Sequence, residues 1–144
     1  YNQFAKAELT DIYPEAKLNA SIHYEAREFR SGYLKKENDK WEFHPFENEL
    51  QVGPINAFVS MDINSDGKNE LIVAGNKYEA EVETPRYDSG FGSVIEFLPG
   101  GHRIITPKES GICLNKNVKD LQKVGRFLVV GVNDDPSLIF KTIK

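Results

Sequence analysis

Asp62-Ile63-Asn64-Ser65-Asp66-Gly67-Lys68-Asn69-Glu70 is the stretch on which the reading of this chain turns. Counted from Asp62, oxygen-bearing side chains fall at positions 1, 3, 5 and 9, with glycine at position 6. A hard cation such as calcium takes about six to eight oxygens at about 2.3–2.6 Å. Alternating Asp62, Asn64 and Asp66 lets one tight loop aim three side chains inward, and Gly67 permits the sharp turn. The Lys68 carbonyl and the Glu70 carboxylate complete the candidate protein shell. The helical calcium hand closes with a bidentate Glu at position 12, which here is Val73, so the loop is of another kind. Its flanks, Ala57–Met61 and Leu71–Ala74, carry the β-branched and apolar composition of strands. The expectation is a structural calcium turn joining two strands. The plainer alternative is that Asn-Ser-Asp-Gly is only good turn chemistry, with its carboxylates solvated.

Working outward, strand and turn signals alternate along most of the chain. Glu28–Lys35 and Trp41–Pro45 flank the hydrophilic Glu37-Asn38-Asp39 turn. Gly92–Leu98 and His102–Thr106 flank Pro99-Gly100-Gly101. Val118–Val124, Phe127–Val132 and Leu138–Ile143 follow, with turns at Gly125 and at Asn133-Asp134-Asp135-Pro136. With the two flanks of the Asp loop this makes about nine short strands at the spacing of antiparallel all-β folds. Leu71–Ala74 and Phe127–Val130 are continuously apolar, which predicts burial on both faces. The two runs occupy similar places in two successive units, and the second unit lacks an outermost strand. Before residue 29 the pattern is helical: Ala5, Leu9, Ile12, Tyr13 and Ala16 recur at helix spacing. Pro14 splits the pattern into two short helices, and a weaker helical period runs over Leu18–Arg27. The division is therefore a helical lead-in over 1–28 and two blade-like repeats over 29–144.

With 144 residues, 40% hydrophobic and 28% charged, the chain can bury one ordinary core. A net charge of −4 without a basic stripe argues against a nucleic-acid partner. No stretch reaches the roughly 18 apolar residues of a membrane helix. The lone cysteine, Cys113, excludes an internal disulfide and reads as a small buried apolar residue. The chain opens on Tyr1 without a signal-like region, which suggests a removed export signal or, the favoured reading, a start inside a longer protein.

The loop and the run after it resemble the Asp-rich loop and following strand of FG-GAP/VCBS repeats, which build the β-propellers of integrin α chains and of many secreted bacterial proteins. Ala74-Gly75-Asn76-Lys77-Tyr78, Glu83-Thr84-Pro85-Arg86-Tyr87-Asp88-Ser89-Gly90-Phe91-Gly92, Glu109-Ser110-Gly111-Ile112 and Val132-Asn133-Asp134-Asp135-Pro136 are similar to the last part of long Bacteroidetes proteins with these repeats. Leu114-Asn115-Lys116-Asn117-Val118 departs from the family's Gly-Asp pair, and no second metal loop is assigned there. The resemblance implies a mainly β, antiparallel propeller fragment of about two blades, completed by the rest of a larger propeller. It also implies an extracellular, periplasmic or outer-membrane location in a bacterium.

Other candidates are weighed against plain structural roles. Arg86, Tyr87 and Asp88 sit on a polar connector and could grip a carboxylate or sugar, or Arg86 and Asp88 could pair to pin the loop. Glu79, Glu81 and Glu83 alternate with Ala80 and Val82, as in a solvated edge strand. Trp41, Phe43 and Phe46 read as blade core more readily than as a glycan platform. His23, His44 and His102 lack zinc spacing, and no catalytic motif or residue is assigned. The leading expectation is a non-catalytic binding or scaffolding module for a protein or glycan partner, with a structural calcium ion. The alternatives are a carbohydrate-active or other hydrolytic enzyme on a propeller scaffold, and a purely structural propeller-closing domain.

Overall fold

The computed structural model describes residues 1–133 and 135–142. Asp134 in the expected Asn133–Pro136 turn, Ile143 at the expected end of the last strand, and Lys144 lie outside them. The described chain is mainly β. It holds three antiparallel sheets and a few short helices.

The strands are β1 (Gly32–Glu37) and β2 (Lys40–Pro45), forming a hairpin; β3 (Ile55–Met61), β4 (Glu70–Gly75), β5 (Ser93–Leu98) and β6 (Gly101–Ile105), forming a four-stranded meander; and β7 (Val118–Val124), β8 (Phe127–Val132) and β9 (Leu138–Lys141), forming a three-stranded one. These match the nine expected strands, and the third sheet lacks the fourth strand, as the sequence suggests. The sheets do not close into a ring.

The turns explain themselves locally. Asn38 and Asp39 take left-handed backbone (φ 48° and 61°), the pair of positive φ values that a two-residue hairpin connection needs. Short helix α3 (Pro107–Ser110) starts at Thr106 with a capping box, in which Glu109 Oε2 accepts from the Thr106 N–H at 2.9 Å, and stops at left-handed Gly111.

The four-stranded sheet lies in the middle of three layers. One face of it, with Ala57, Met61, Ile72, Ala74 and Val94, packs on Leu121, Leu128 and Val130 of the third sheet; Leu114 and Val118 join this core. The other face, with Val73 and Ile95, packs under Phe46, Leu50 and Tyr33 of the first hairpin and its exit. Residues 72–74 are therefore buried on both sides, as their unbroken apolar run implies. The equivalent run in β8 is not. Leu128 and Val130 are buried, but Phe127 and Val129 face outward, because no further layer among the described residues covers that side.

The second and third sheets are two copies of one unit. Ile55 pairs with Gly75 and Ala57 with Ala74 across a bulge; Val118 pairs with Val132 and Asp120 with Gly131 across another. The residue after each second strand is an asparagine. The Asn76 N–H donates to the Pro54 carbonyl at 3.3 Å, and the Asn133 N–H donates to the Asn117 carbonyl at 3.0 Å. The copies differ between their first two strands: the long Asp62–Asn69 loop stands where the second copy has only Gly125-Arg126.

Residues 1–28 carry α1 (Leu9–Ile12) and α2 (Glu15–Ala20), which meet at Pro14 as its fixed φ dictates. The expected helical period over Leu18–Arg27 breaks off at Ala20, and the chain beyond carries no regular element until β1. No residue of either helix is buried, so no packing holds a longer one.

Candidate functional site

The Asp62–Glu70 loop bridges β3 and β4 at one end of the middle sheet. Its side chains organise its own backbone. Asp62 Oδ1 accepts from the Ser65 N–H (2.6 Å) and the Asp66 N–H (3.2 Å), and Oδ2 accepts from the Gly67 N–H (2.9 Å). Asn64 Oδ1 accepts from the Asp66 N–H (2.9 Å), and Asp66 Oδ1 from the Lys68 N–H (2.8 Å). Ser65 and Gly67 take positive φ (62° and 86°), which curls the chain around the carboxylates. These are nested side-chain turns, and they gather Asp62, Asn64 and Asp66 on the inner side of one tight loop.

Glu70 stands apart from the other four. It is 1% exposed, opposite Met61 at the root of the loop, and its Oε2 accepts from the Ile63 N–H at 3.0 Å. Among the described residues no Lys, Arg or His forms an ion pair with it. A buried carboxylate is costly without a compensating cation or several donors. The donor set fits a hard cation in kind: carboxylate, carboxamide and backbone oxygen, with no sulfur or imidazole. Among the described residues no three His, Cys, Asp or Glu side chains converge at metal-binding spacing, so the set depends on Asn64 and backbone oxygen besides its acids.

Arg86, Tyr87 and Asp88 lie on the connector between β4 and β5. Lys77 and Tyr87 exchange both backbone hydrogen bonds (2.9 and 3.0 Å), making an isolated bridge that narrows the connector to a neck. The expected Arg86–Asp88 pair does not form. Instead the Arg86 guanidinium lies over the Tyr78 ring, 5.3 Å from its centroid, and the Tyr78 hydroxyl donates to the Asn115 carbonyl at 3.1 Å. Adjacent residues on an extended chain point to opposite faces, so the trio is not one grip. Tyr87 instead borders a shallow groove with Lys77, Phe29 and Gln51.

Sequence reasoning missed what holds this connector. Asn76, 1% exposed, donates from Nδ2 to the carbonyls of Gly90 (2.8 Å) and Lys116 (3.2 Å), and accepts at Oδ1 from the Gly90 N–H (2.9 Å). Asn56, in the bulge, donates to the carbonyls of Asn76 and Val118 (2.7 and 3.0 Å). Glu79 is no edge-strand residue. Its Oε1 accepts from Asn117 Nδ2 (2.9 Å) and Asn133 Nδ2 (2.6 Å), and Oε2 accepts from Lys119 Nζ (3.3 Å). Its own backbone N–H, then Asn117 and Lys119, hold its carboxyl down at about 2. The only sequence signal for this network was the recurrence of Asn after both apolar strands.

Other expectations change as well. Cys113 is exposed, because the chain there is extended and Ile112 and Leu114 take the inward positions. Of the three aromatic residues read as core, Phe46 is buried, whereas Trp41 and Phe43 sit on the open side of the hairpin. No helix among the described residues is long and apolar enough to cross a membrane.

Comparison with family models, curated proteins and solved structures finds no match.

Proposed function

We propose that this chain is a non-catalytic binding or scaffolding module of an FG-GAP/VCBS-type propeller, secreted or surface-held in a bacterium, with one unit stiffened by calcium in the Asp62–Glu70 loop. The observation that carries the metal is Glu70: a buried carboxylate at the root of an oxygen-lined loop, with no cationic side chain paired to it among the described residues. Asp62, Asn64 and Asp66 supply side-chain oxygens to the ion, Lys68 its carbonyl and Glu70 its carboxylate. Calcium there ties the end of β3 to the start of β4, at the edge of the core that joins the two repeats.

The repeated unit supports the propeller part of the reading, as do the two apolar faces left open at the ends of the stack. One of these is the outer side of the third sheet, with Phe127, Val124 and Ile139. Neighbouring blades of a longer protein would cover both. The connector with Arg86, Tyr87 and Asp88 is then the surface offered to a protein or glycan ligand, with Tyr87 on the groove side. The same open faces also favour a second reading, a purely structural unit that closes a propeller and has no ligand of its own.

A thermal melt in millimolar calcium, repeated in excess chelator, tests the metal. At a hundred times the dissociation constant, binding stabilises by about 2.7 kcal/mol. That is a rise of about 5–10 °C for a domain of this size. Identical melts in the two solutions would reduce the loop to a turn.

A further inference from the structure

The third sheet stops one strand short of its twin. The bulges align Ala74 with Gly131, so Val73 matches Val130 and Leu71 matches Leu128. Through their partners, Val94 matches Ile139, Ile95 matches Phe140 and Glu96 matches Lys141. In the first copy the far side of β5 is taken by β6, and Glu96 lies opposite Arg103, paired to it at 2.8 Å. In the second copy β9 ends the sheet. The Thr142 N–H donates to the Arg126 carbonyl at 3.1 Å, so by alternation Phe140 and Leu138 also direct their backbone groups to β8. The N–H and C=O of Ile139 and Lys141 therefore point to the open side, where no backbone group meets them among the described residues. A pocket of about 230 Å³ adjoins this strand, lined by Phe140, Lys141 and Thr142 together with Met61, Ile63 and Ile112.

A segment that suits this edge lies unpacked in the lead-in. Ile22, Tyr24 and Ala26 alternate with His23, Glu25 and Arg27, the period-two pattern of a strand. Yet residues 21–30 belong to no regular element and are all exposed, Ile22 at 79% and Tyr24 at 92%. Glu25 can be set opposite Lys141, as Arg103 stands opposite Glu96, on a strand antiparallel to β9. Ala26 then falls opposite Phe140, and Tyr24 falls opposite Thr142, at the pocket. Among the described residues Lys141 has no ion-pair partner, and Glu25 has only Arg27 (2.8 Å), with both side chains in solvent. A lysine on an edge strand can be a guard against pairing. The first copy, however, carries a charge at the same position inside a paired edge.

We infer that the free edge of β9 is a strand-addition site, filled by residues 22–27 of a second copy of this chain. The chain's own segment cannot reach it. Gln51 holds Ser31 at the hairpin layer, accepting from its N–H (2.8 Å) and donating to its carbonyl (2.9 Å). The hairpin and the third sheet pack on opposite faces of the middle sheet. Packed layers lie about 10 Å apart, which puts the third sheet about 20 Å from the hairpin. The four residues from Arg27 to Ser31 span at most about 14 Å. A neighbour's segment carries no such tether. It supplies partners for the backbone of Ile139 and Lys141, a side chain for the pocket and an acid for Lys141. Where each copy gives and receives a strand, the exchange closes at two. No metal enters the pairing, so it stands or falls apart from the calcium loop.

Sedimentation equilibrium of the full chain, from micromolar to sub-millimolar concentration, tests it. Twice the chain mass at the upper end is expected. Lys141→Glu, at an exposed side chain, sets an acid opposite Glu25. It should raise the dissociation constant about tenfold, because a reciprocal dimer carries the pair twice. Adding Glu25→Lys reverses the pair and should bring the constant back to within about threefold of the unaltered chain. Amide exchange supplies a readout that needs no variant. Ile139 and Lys141 should exchange fast in dilute solution and slow as concentration rises, while Phe140, turned to β8, changes less. A monomer at every concentration, a Lys141→Glu defect that Glu25→Lys fails to repair, or exchange of Ile139 and Lys141 that ignores concentration would overturn the assignment.

Discussion

Replacing Asn76 by alanine should be among the most damaging polar substitutions in the molecule, and its cost can be worked out. The side chain is 1% exposed and makes three hydrogen bonds, to Gly90 on one side and Lys116 on the other. Each contributes about 1 kcal/mol net, and the Gly90 N–H left behind at this part-buried site costs about as much again. Asn76 also holds φ at 74°, where a β-carbon other than that of Asn or Asp adds about 1 kcal/mol of strain. The sum is about 3–5 kcal/mol, against a total stability of about 5–15 kcal/mol for a domain. Urea unfolding followed by far-ultraviolet circular dichroism measures it, because the single tryptophan, Trp41, is too exposed to report on the core. A midpoint about 2 M lower is expected. Asn76→Gly should recover about 1 kcal/mol of the loss, since glycine removes the strain and restores no bond. The reasoning is refuted if Asn76→Ala costs under about 1 kcal/mol, or if the glycine variant is no better than the alanine one.

Asp66→Ala removes one of the proposed calcium ligands and the acceptor for the Lys68 N–H; on that proposal the variant should melt alike in calcium and in chelator while the unaltered chain does not. Glu79 titrates below its ordinary range, so its stabilising contribution is complete above about 4.5 and is lost as pH falls toward about 2. Glu79→Gln should therefore be less stable at neutral pH and show a shallower decline over that window, as read from denaturant midpoints at successive pH values. Leu114→Ala empties a fully buried site between the two repeats; a loss of about 2–5 kcal/mol is expected in the same unfolding assay.

The strands were legible because their turns are chemically explicit: Asn38-Asp39, Pro99-Gly100-Gly101 and Gly125 each mark a reversal that the backbone makes. The double burial of 72–74 was legible too, since only a strand covered on both faces dispenses with alternation. The same logic failed for Phe127–Val130, where Phe127 and Val129 lie on the outer side of the third sheet and no layer among the described residues packs over them. Glu79–Glu83 alternates like a strand yet is none; the partners of Glu79 are Asn117, Asn133 and Lys119, far away in sequence, and no local pattern encodes them. The candidate loop was legible as a set of oxygens at fixed spacing. What the spacing did not contain is the burial of Glu70 at the root of the loop, opposite Met61 and bonded to the Ile63 N–H.

The exposure of Cys113 has a practical consequence. It is the only thiol in the chain, and its neighbours Ile112 and Leu114 are both anchored in the core between the repeats. A maleimide dye attached there stands in solvent on a tether fixed at both ends, with no engineered cysteine needed. Its anisotropy would follow the seam between the two repeats directly, so loosening of one unit against the other becomes visible before either unfolds.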